Sequence, residues 1–430
     1  MKVLVVGGGG REHALVWALG KSAKVSELIC APGNGGIAAL ARCRPVDVAE
    51  VEDMLRLVQQ EQPDLVVIGP EIPLAAGMVD ALEPLGVRVF GPTRAAARLE
   101  TSKGFAKEFM QRWRIPTAAY AVCGTLDEVH AALASFGAAV VIKADGLAAG
   151  KGVVLCESHE EALQAAAEMF AGTLLGAAVE RVVVEERLHG PEISFFAVCD
   201  GTKAMALAVA QDHKRVGEGD TGPNTGGMGA YSTDDLLSSE MSAWVLNEVA
   251  QRVVDGMRAE GTPFVGVLFI GLMLTPDGPK VLEFNTRFGD PETEAILLRL
   301  DTDLLEILEA AVDGRVGELT VRLRPEASAC VIAASGGYPG KYVQGKGISG
   351  LDRVIAGVEV FHAGTALVGG ECVTAGGRVL AVSALGEDLQ AALELVYATL
   401  TGIGFEGMQY RRDIGWRALD ETNATRGDKG

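Results

Sequence analysis

No stretch of this sequence is built to leave water. The conspicuous apolar run over residues 264–274 is far short of the ~20 residues that a membrane-spanning helix needs. The start, with one lysine and four apolar residues before four glycines, lacks the apolar core of a secretory signal. Cysteines do not pair off in sequence: Cys30, Cys43, Cys123, Cys156, Cys199, Cys330 and Cys372 are an odd, scattered set without C-x-x-C, which suits reduced thiols. Cationic residues are in deficit, 38 Lys and Arg against 57 Asp and Glu, for a formal charge of −19. A general nucleic-acid or anionic-membrane surface needs clustered Lys and Arg, so neither partner is expected. No Ser-His-Asp or Cys-His cue for covalent catalysis stands out, and His213 is isolated from other histidines, so no zinc-type site is expected there. These absences point to a cytoplasmic protein that handles small molecules and holds any phosphate locally.

What is present is length and apolar content. At 430 residues, 48% hydrophobic and 22% charged, the chain exceeds the ~250–300 residues at which one core stops growing, so several compact units are expected. β-rich runs at 2–6, 28–31, 65–68 and 87–90 alternate with helical stretches at 11–19, 50–60 and 73–82. Such alternation predicts a doubly wound parallel sheet over residues 1–100, with ligands beyond the carboxyl ends of its strands. Thr101 and Ser102 can cap a helix to about 113, ended by Ile115-Pro116. Residues 101–325 form the next unit, with a small α+β lobe at about 117–190. An apolar stripe at helical spacing, Met241, Trp244, Val245, Val249, Val253 and Met257, predicts a core-facing helix. Residues 326–420 are expected to be a separate C-terminal unit, and the polar residues 421–430 a frayed tail.

Three segments carry chemistry. VLVVGGGGREHA turns a strand into a helix through glycines, where N–H groups and the helix dipole can hold an anion. His13 stands where a dinucleotide fingerprint has its third glycine, and the second strand ends in PGNGG with no acid for a ribose hydroxyl pair. Phosphate, phosphoribosyl or dinucleotide binding, or turns of purely structural purpose, all remain open for this loop. IKADGLAAGKGV, residues 142–153, sets two lysines among glycines between two short strands. It is not a Walker A loop: Gly146 to Gly150 encloses three residues, and Gly152 follows Lys151 where a Ser or Thr is required. A hairpin lid over phosphates fits, and a merely flexible loop is the bland alternative. In VLEFNTRFGDPE, residues 281–292, alternation on an extended chain places Glu283, Asn285 and Arg287 on one face. Two oxygen ligands and a guanidinium suit magnesium bridging to a phosphoryl group; alone, the same pattern would be a solvated face. The long loop over residues 211–231, QDHKRVGEGDTGPNTGGMGAY, is rich in glycine and charge, as functional loops are.

Together with TSKGFAK at 101–107 and GGYPGKY at 336–342, these segments resemble the ATP-grasp superfamily, and within it the phosphoribosylamine–glycine ligases, from residue 1 to about 415. The resemblance implies an α/β ATP-grasp fold with an N-terminal pre-ATP-grasp domain, a lid lobe, a catalytic lobe and a C-terminal domain. It implies ATP-dependent joining of glycine to 5-phosphoribosylamine through glycyl phosphate, in purine biosynthesis, with Mg2+ or Mn2+. ATP would be held by Lys103, Lys143, Gly146, Gly150, Lys151 and Gly152, with Glu185, Glu186 and Leu188 at the adenine and Glu192 at the ribose. Glu283 and Asn285 would hold the metal; Arg287, Lys143, Asp212 and Lys214 would be catalytic. Gly9, Gly10, Arg11, Glu12, Asn34 and Gly35 would hold phosphoribosylamine, with Asp212 and Arg215 facing glycine and the acyl phosphate. A further acidic ligand that many ATP-grasp enzymes take from the preceding strand has no counterpart in residues 265–274, which leaves more of the metal's shell to water or phosphate. The chain's end at residue 430 suggests a single activity, with no obligate protein partner implied. The rival readings are another ATP-grasp ligase or carboxylase, an NAD-dependent dehydrogenase and a non-catalytic nucleotide sensor.

Overall fold

The structure, a computed structural model, describes residues 1–147, 152–174 and 176–420. Its first unit is a five-stranded parallel sheet ordered Arg42–Cys43, Glu27–Pro32, Lys2–Gly7, Leu65–Ile68, Val89–Phe90. Val3 to Val6 are wholly buried, because helices cover both faces and the strand is apolar throughout. Strand order reverses between Lys2–Gly7 and Leu65–Ile68, so the crevice beyond these two strands is where an open sheet of this kind takes a ligand. The turns Gly8-Gly9 and Gly69-Pro70 flank it. The helix expected over 73–82 is two short ones, Glu71–Ala76 and Met78–Leu82, parted at Gly77. Gly77 sits at φ +89°, a left-handed cap that ends the first helix.

The small lobe is a four-stranded antiparallel sheet, Tyr120–Cys123, Val182–Glu186, Val140–Ala144, Val153–Cys156. One face packs on helices Leu126–Leu133 and His159–Ala171, each begun by a hydroxyl cap, Thr125 accepting from Glu128 N–H and Ser158 from Glu161 N–H. Val140, Ile142, Val182 and Val184 supply the core and Val141 and Lys143 face the other way, as two-residue periodicity requires.

The remaining strands form one eight-stranded sheet, ordered Gly278–Asn285, Val265–Thr275, Glu192–Asp200, Ala204–Asp212, Gly229–Ser232, Ala327–Ala334, Arg378–Gly386, Val358–His362. Pairing runs unbroken from the central lobe into the C-terminal residues through Gly229–Ser232 and Ala327–Ala334. The stretch expected to stand apart after residue 326 is therefore knitted to the central lobe by backbone hydrogen bonds. Under this junction a single buried cluster takes Val3 and Leu15 from the first unit, Phe196 and Leu297 from the centre, and Cys330 and Phe361 from the C-terminal strands. The helical stripe is present, with Val245, Val249, Val253 and Met257 fully buried, but its helix is interrupted by a π-turn at Leu246–Ala250. No helix among the described residues is long and apolar enough to cross a membrane.

Candidate functional site

A cavity of about 900 Å³ lies where the first sheet's crevice, the lid hairpin, the strand Gly278–Asn285 and the C-terminal residues meet. Three of its walls come from different units, so the buried junction beneath them sets its shape.

On the lid side, Ser102 caps the helix Lys103–Arg112 by accepting from Phe105 N–H at 3.1 Å, which aims Lys103 and Lys107 into the cavity. Asp145 ties that helix start to the lid, accepting from Gly104 N–H at 3.1 Å and pairing with Arg181 at 2.7 Å. Glu185 bridges two buried lysines, Lys107 at 2.9 Å and Lys143 at 3.0 Å. Burial drives Lys107 down to about 8 despite Glu185, whereas Lys143 donates also to the Leu282 carbonyl at 3.1 Å. Lys103, Lys143, Gly146, Gly152, Glu185, Glu186, Leu188 and Glu192 all line the cavity. Gly150 and Lys151 lie outside the described residues. Glu192 pairs with Lys214 at 3.0 Å, and Glu186 with Lys280 at 3.4 Å.

Glu283, Asn285 and Arg287 line the same cavity, although the regular strand ends at Asn285. Burial pushes the Glu283 carboxyl up, but Lys214, Lys143, Lys103 and Arg287 outweigh it and hold the group below its ordinary range. It is therefore an ionised oxygen donor inside a ring of cations, a setting that fits a hard cation brought in with phosphates. Among the described residues no three His, Cys, Asp or Glu side chains gather as a metal cage, so such an ion would complete its shell from phosphate and water. Arg287 is held by Glu100 at 3.0 Å and Glu71 at 3.4 Å. Glu100 in turn accepts from Thr286 N–H at 2.7 Å, locking the guanidinium's approach.

Beyond the cations sits an acidic end. Burial raises Asp212 to about 7, opposed by Lys214 and reinforced by Glu292 and Glu192. Glu292, also raised by burial, accepts from the Ser194 hydroxyl at 3.2 Å. Arg215 lines the cavity while donating to the Gly222 carbonyl at 2.7 Å. His213 faces away, its Nε2 accepting from Gly415 N–H at 3.1 Å.

The first unit contributes differently from the expectation. Among the described residues Arg11 lines the cavity, but Gly9, Gly10, Glu12, Asn34 and Gly35 do not. Arg11 is held by Glu12 at 2.6 Å and donates to the Phe288 carbonyl at 3.1 Å, and Glu12 itself caps Gly9 N–H at 2.6 Å. Asn34 spends its amide inside the fold. Its nitrogen donates to the carbonyls of Gly8 at 3.0 Å and His362 at 2.6 Å, and its oxygen accepts from Gly36 and Ile37, both at 2.9 Å. Gly35 and Gly36 are small because the C-terminal residues Thr365 and His362 pack where a Cβ would stand. The second glycine turn thus docks the C-terminal strands. Sequence reasoning did not single out Glu71, Lys107, Asp290, Glu292, Tyr338 or Arg378, all of which line the cavity. Four of them lie within quoted motifs; Glu71 and Arg378 lie in none and carry no local signal.

Family models divide the chain in the same order as these walls. The N domain of phosphoribosylglycinamide synthetase matches residues 1–100, its ATP-grasp (A) domain residues 101–293 and its C domain residues 328–417. The chain is 50% identical to phosphoribosylamine–glycine ligase of Xylella fastidiosa, over 99% of this chain and 100% of that one. The chain belongs to the phosphoribosylamine–glycine ligase family. A ligase of the same name from Brucella melitensis is 48% identical over 99% of this chain and 100% of its own. A crystal structure of the Thermotoga maritima ligase superposes with a TM-score of 0.86 at 34% identity, covering 96% of this chain and 100% of that one. The biotin carboxylase domain of Hydrogenobacter thermophilus 2-oxoglutarate carboxylase, at 16% identity and a TM-score of 0.73 over 95% and 91%, shares the ATP-grasp fold. As a member of this ligase family, the chain is an ATP-dependent carbon–nitrogen ligase with an ATP-grasp fold.

Proposed function

We propose that the chain joins glycine to 5-phosphoribosylamine at the expense of ATP, giving glycinamide ribonucleotide, ADP and phosphate, with the labour divided among the cavity residues as follows. The observation that carries this reading is the ring of Lys103, Lys143, Lys214 and Arg287 about one ionised carboxylate, Glu283, in a cavity walled by all three family domains. Glycine's carboxylate is a poor acyl donor because its leaving group would be oxide. Phosphorylation cures this: a carboxylate oxygen bonds to the γ-phosphorus, the bond to the β-phosphate bridge breaks, and ADP leaves glycyl phosphate behind. Lys103, Lys143 and Arg287 balance the charge that is redistributed over the phosphoryl oxygens, without a protein nucleophile. Glu283 and Asn285 would hold Mg2+ or Mn2+, which would supply further neutralisation of the phosphates.

In the second half the amine nitrogen bonds to the acyl carbon and the carbon–oxygen bond to phosphate breaks. The nitrogen must shed a proton, and Asp212, buried and tuned to about 7, is matched to accept one near neutral pH. Lys214 beside it keeps the acyl phosphate oxygens charge-balanced. Glu185, Glu186 and Leu188 frame the adenine, Glu192 the ribose, Arg11 flanks the amine substrate, and Arg215 faces glycine and the acyl phosphate. The substrates are small molecules, and the reading includes neither nucleic acid, membrane nor an obligate protein partner. The reading sets the reaction in the cytoplasm. The test supplies ATP, glycine, magnesium and freshly made phosphoribosylamine and follows glycinamide ribonucleotide by mass. Product that requires all three substrates is expected. Equal product from unrelated amines, or ADP release with glycine replaced by bicarbonate, would favour another ATP-grasp activity.

A further inference from the structure

We infer that Asp290 reads the sugar hydroxyls of the amine substrate, with Glu294 behind it as its positioning residue. The inference rests on the phosphoribosylamine reading and adds a residue to it. The hydroxyl pair of a phosphoribosyl substrate needs an acceptor, and the first unit has no acid at the end of its second strand. The tertiary structure supplies one from elsewhere. Asp290, just beyond the strand Gly278–Asn285, reaches the first turn, with Oδ2 3.5 Å from where a Cβ on Gly9 would stand. Its Oδ1 lies 3.2 Å from Arg378 Nη1, and its side chain is 14% exposed on the cavity wall. A ligand can therefore reach a carboxylate that is already largely dehydrated and charge-balanced.

Glu294 lies under it, fully buried and packed against Gly10, whose missing Cβ leaves the room. Neither Glu294 oxygen meets a protein donor. Two buried carboxyls in contact resolve this with one shared proton. Burial and the charge of Asp290 push Glu294 well above the carboxylate range, whereas Arg378 and Arg11, with the hydrogen bond from Glu294, outweigh burial and hold Asp290 low. The proton belongs to Glu294, which donates to Asp290 and fixes the carboxylate's orientation. The same asymmetry separates Asp290 from the proton acceptor of the reaction. A carboxylate held low accepts hydrogen bonds well and protons poorly, and Asp212 at about 7 is the better base.

The experiment uses the stable product, glycinamide ribonucleotide, and its 2-deoxyribose counterpart, titrated calorimetrically into the full-length protein, with ATP titrated separately. Wild type is expected to prefer the ribo ligand by about tenfold or more, the worth of a hydrogen bond to a charged acceptor. In Asp290→Ala that preference should fall towards one while ATP affinity is unchanged; Asp290→Asn, of equal volume, replaces it if the alanine variant does not fold. Glu294→Gln still donates and should keep the preference, whereas Glu294→Leu should lose most of it. A ribo preference that survives at position 290, a wild type that does not discriminate, or an equal loss of ATP affinity overturns the assignment of Asp290. A glutamine variant that behaves like leucine overturns the shared proton. If wild type fails to make glycinamide ribonucleotide, the proposed function itself falls; if it makes it and the preference is untouched at position 290, this inference falls alone.

Discussion

Changing Glu185 to glutamine removes one charge from the lid and leaves its volume almost intact. Glu185 holds Lys107 at 2.9 Å and Lys143 at 3.0 Å, and all three side chains are buried. At an effective dielectric of about 20, each contact is worth about 6 kcal/mol of Coulomb energy, most of it offset by the cost of drying three ions. Removing one partner of a buried pair typically costs about 3–5 kcal/mol. Here the loss is capped, because Lys107 sits at about 8 and can shed its proton once the carboxylate is gone. The low end, about 3 kcal/mol at pH 7, is expected. About 1.4 kcal/mol of this is the single pH unit by which wild-type Lys107 keeps its proton.

The pH dependence follows in sign. A lysine lowered from 10.5 to about 8 binds fewer protons folded than unfolded between those values, so wild-type stability rises with pH across that window. In the glutamine variant the folded value drops further, and the rise starts at lower pH. The gap between the two proteins should narrow by about 1.4 kcal/mol from pH 7 to pH 9. Urea unfolding at both pH values, followed by tryptophan fluorescence, measures it. A gap under about 1 kcal/mol at pH 7, or one that does not narrow by pH 9, would refute the buried triad as the lid's electrostatic anchor.

kcat/KM is expected to rise through about pH 7, since Asp212 is a base only above about 7, and Asp212→Asn should erase that limb and lower the plateau by about 10²-fold or more; a retained limb assigns the proton to another group. Glu283→Ala should raise the magnesium needed for half-maximal turnover and cut the rate at saturating ATP by about a hundredfold, with folding intact by circular dichroism. Near-normal ADP production at limiting magnesium would remove Glu283 from the metal. Asn34→Ala strands the backbone groups of Gly8, His362, Gly36 and Ile37, so it should cost about 1–3 kcal/mol and raise the KM of all three substrates. A rise confined to phosphoribosylamine would restore Asn34 as a direct contact.

Local order was legible wherever one segment carries both its pattern and its purpose. Apolar periodicity located the strands Lys2–Gly7 and Leu65–Ile68 and the stripe from Val245 to Met257, because burial on one or both faces repeats every two or 3.6 residues. The alternation of Glu283 and Asn285 likewise follows from extended backbone alone, and both reach the cavity. Glycine was less informative. Gly10 reads as part of an anion-binding turn, and Glu294 also occupies the space where its side chain would be, a packing reason that lies far away in the chain.

The sequence by itself determined the family, the α/β class and the short segments that bear the chemistry, since these depend on residues close together along the chain. Which carboxylate meets which cation was decided only in three dimensions. Glu185 between two lysines, Arg287 between Glu71 and Glu100, and Arg378 against Asp290 each join strands and helices from separate parts of the chain. The values of Asp212 at about 7 and Lys107 at about 8 arise from burial, which no local pattern encodes. The unbroken pairing of Gly229–Ser232 with Ala327–Ala334 is of the same kind. Hydrogen bonds between distant strands set the cavity's walls, and sequence periodicity, which reports which face is buried, is silent on what buries it.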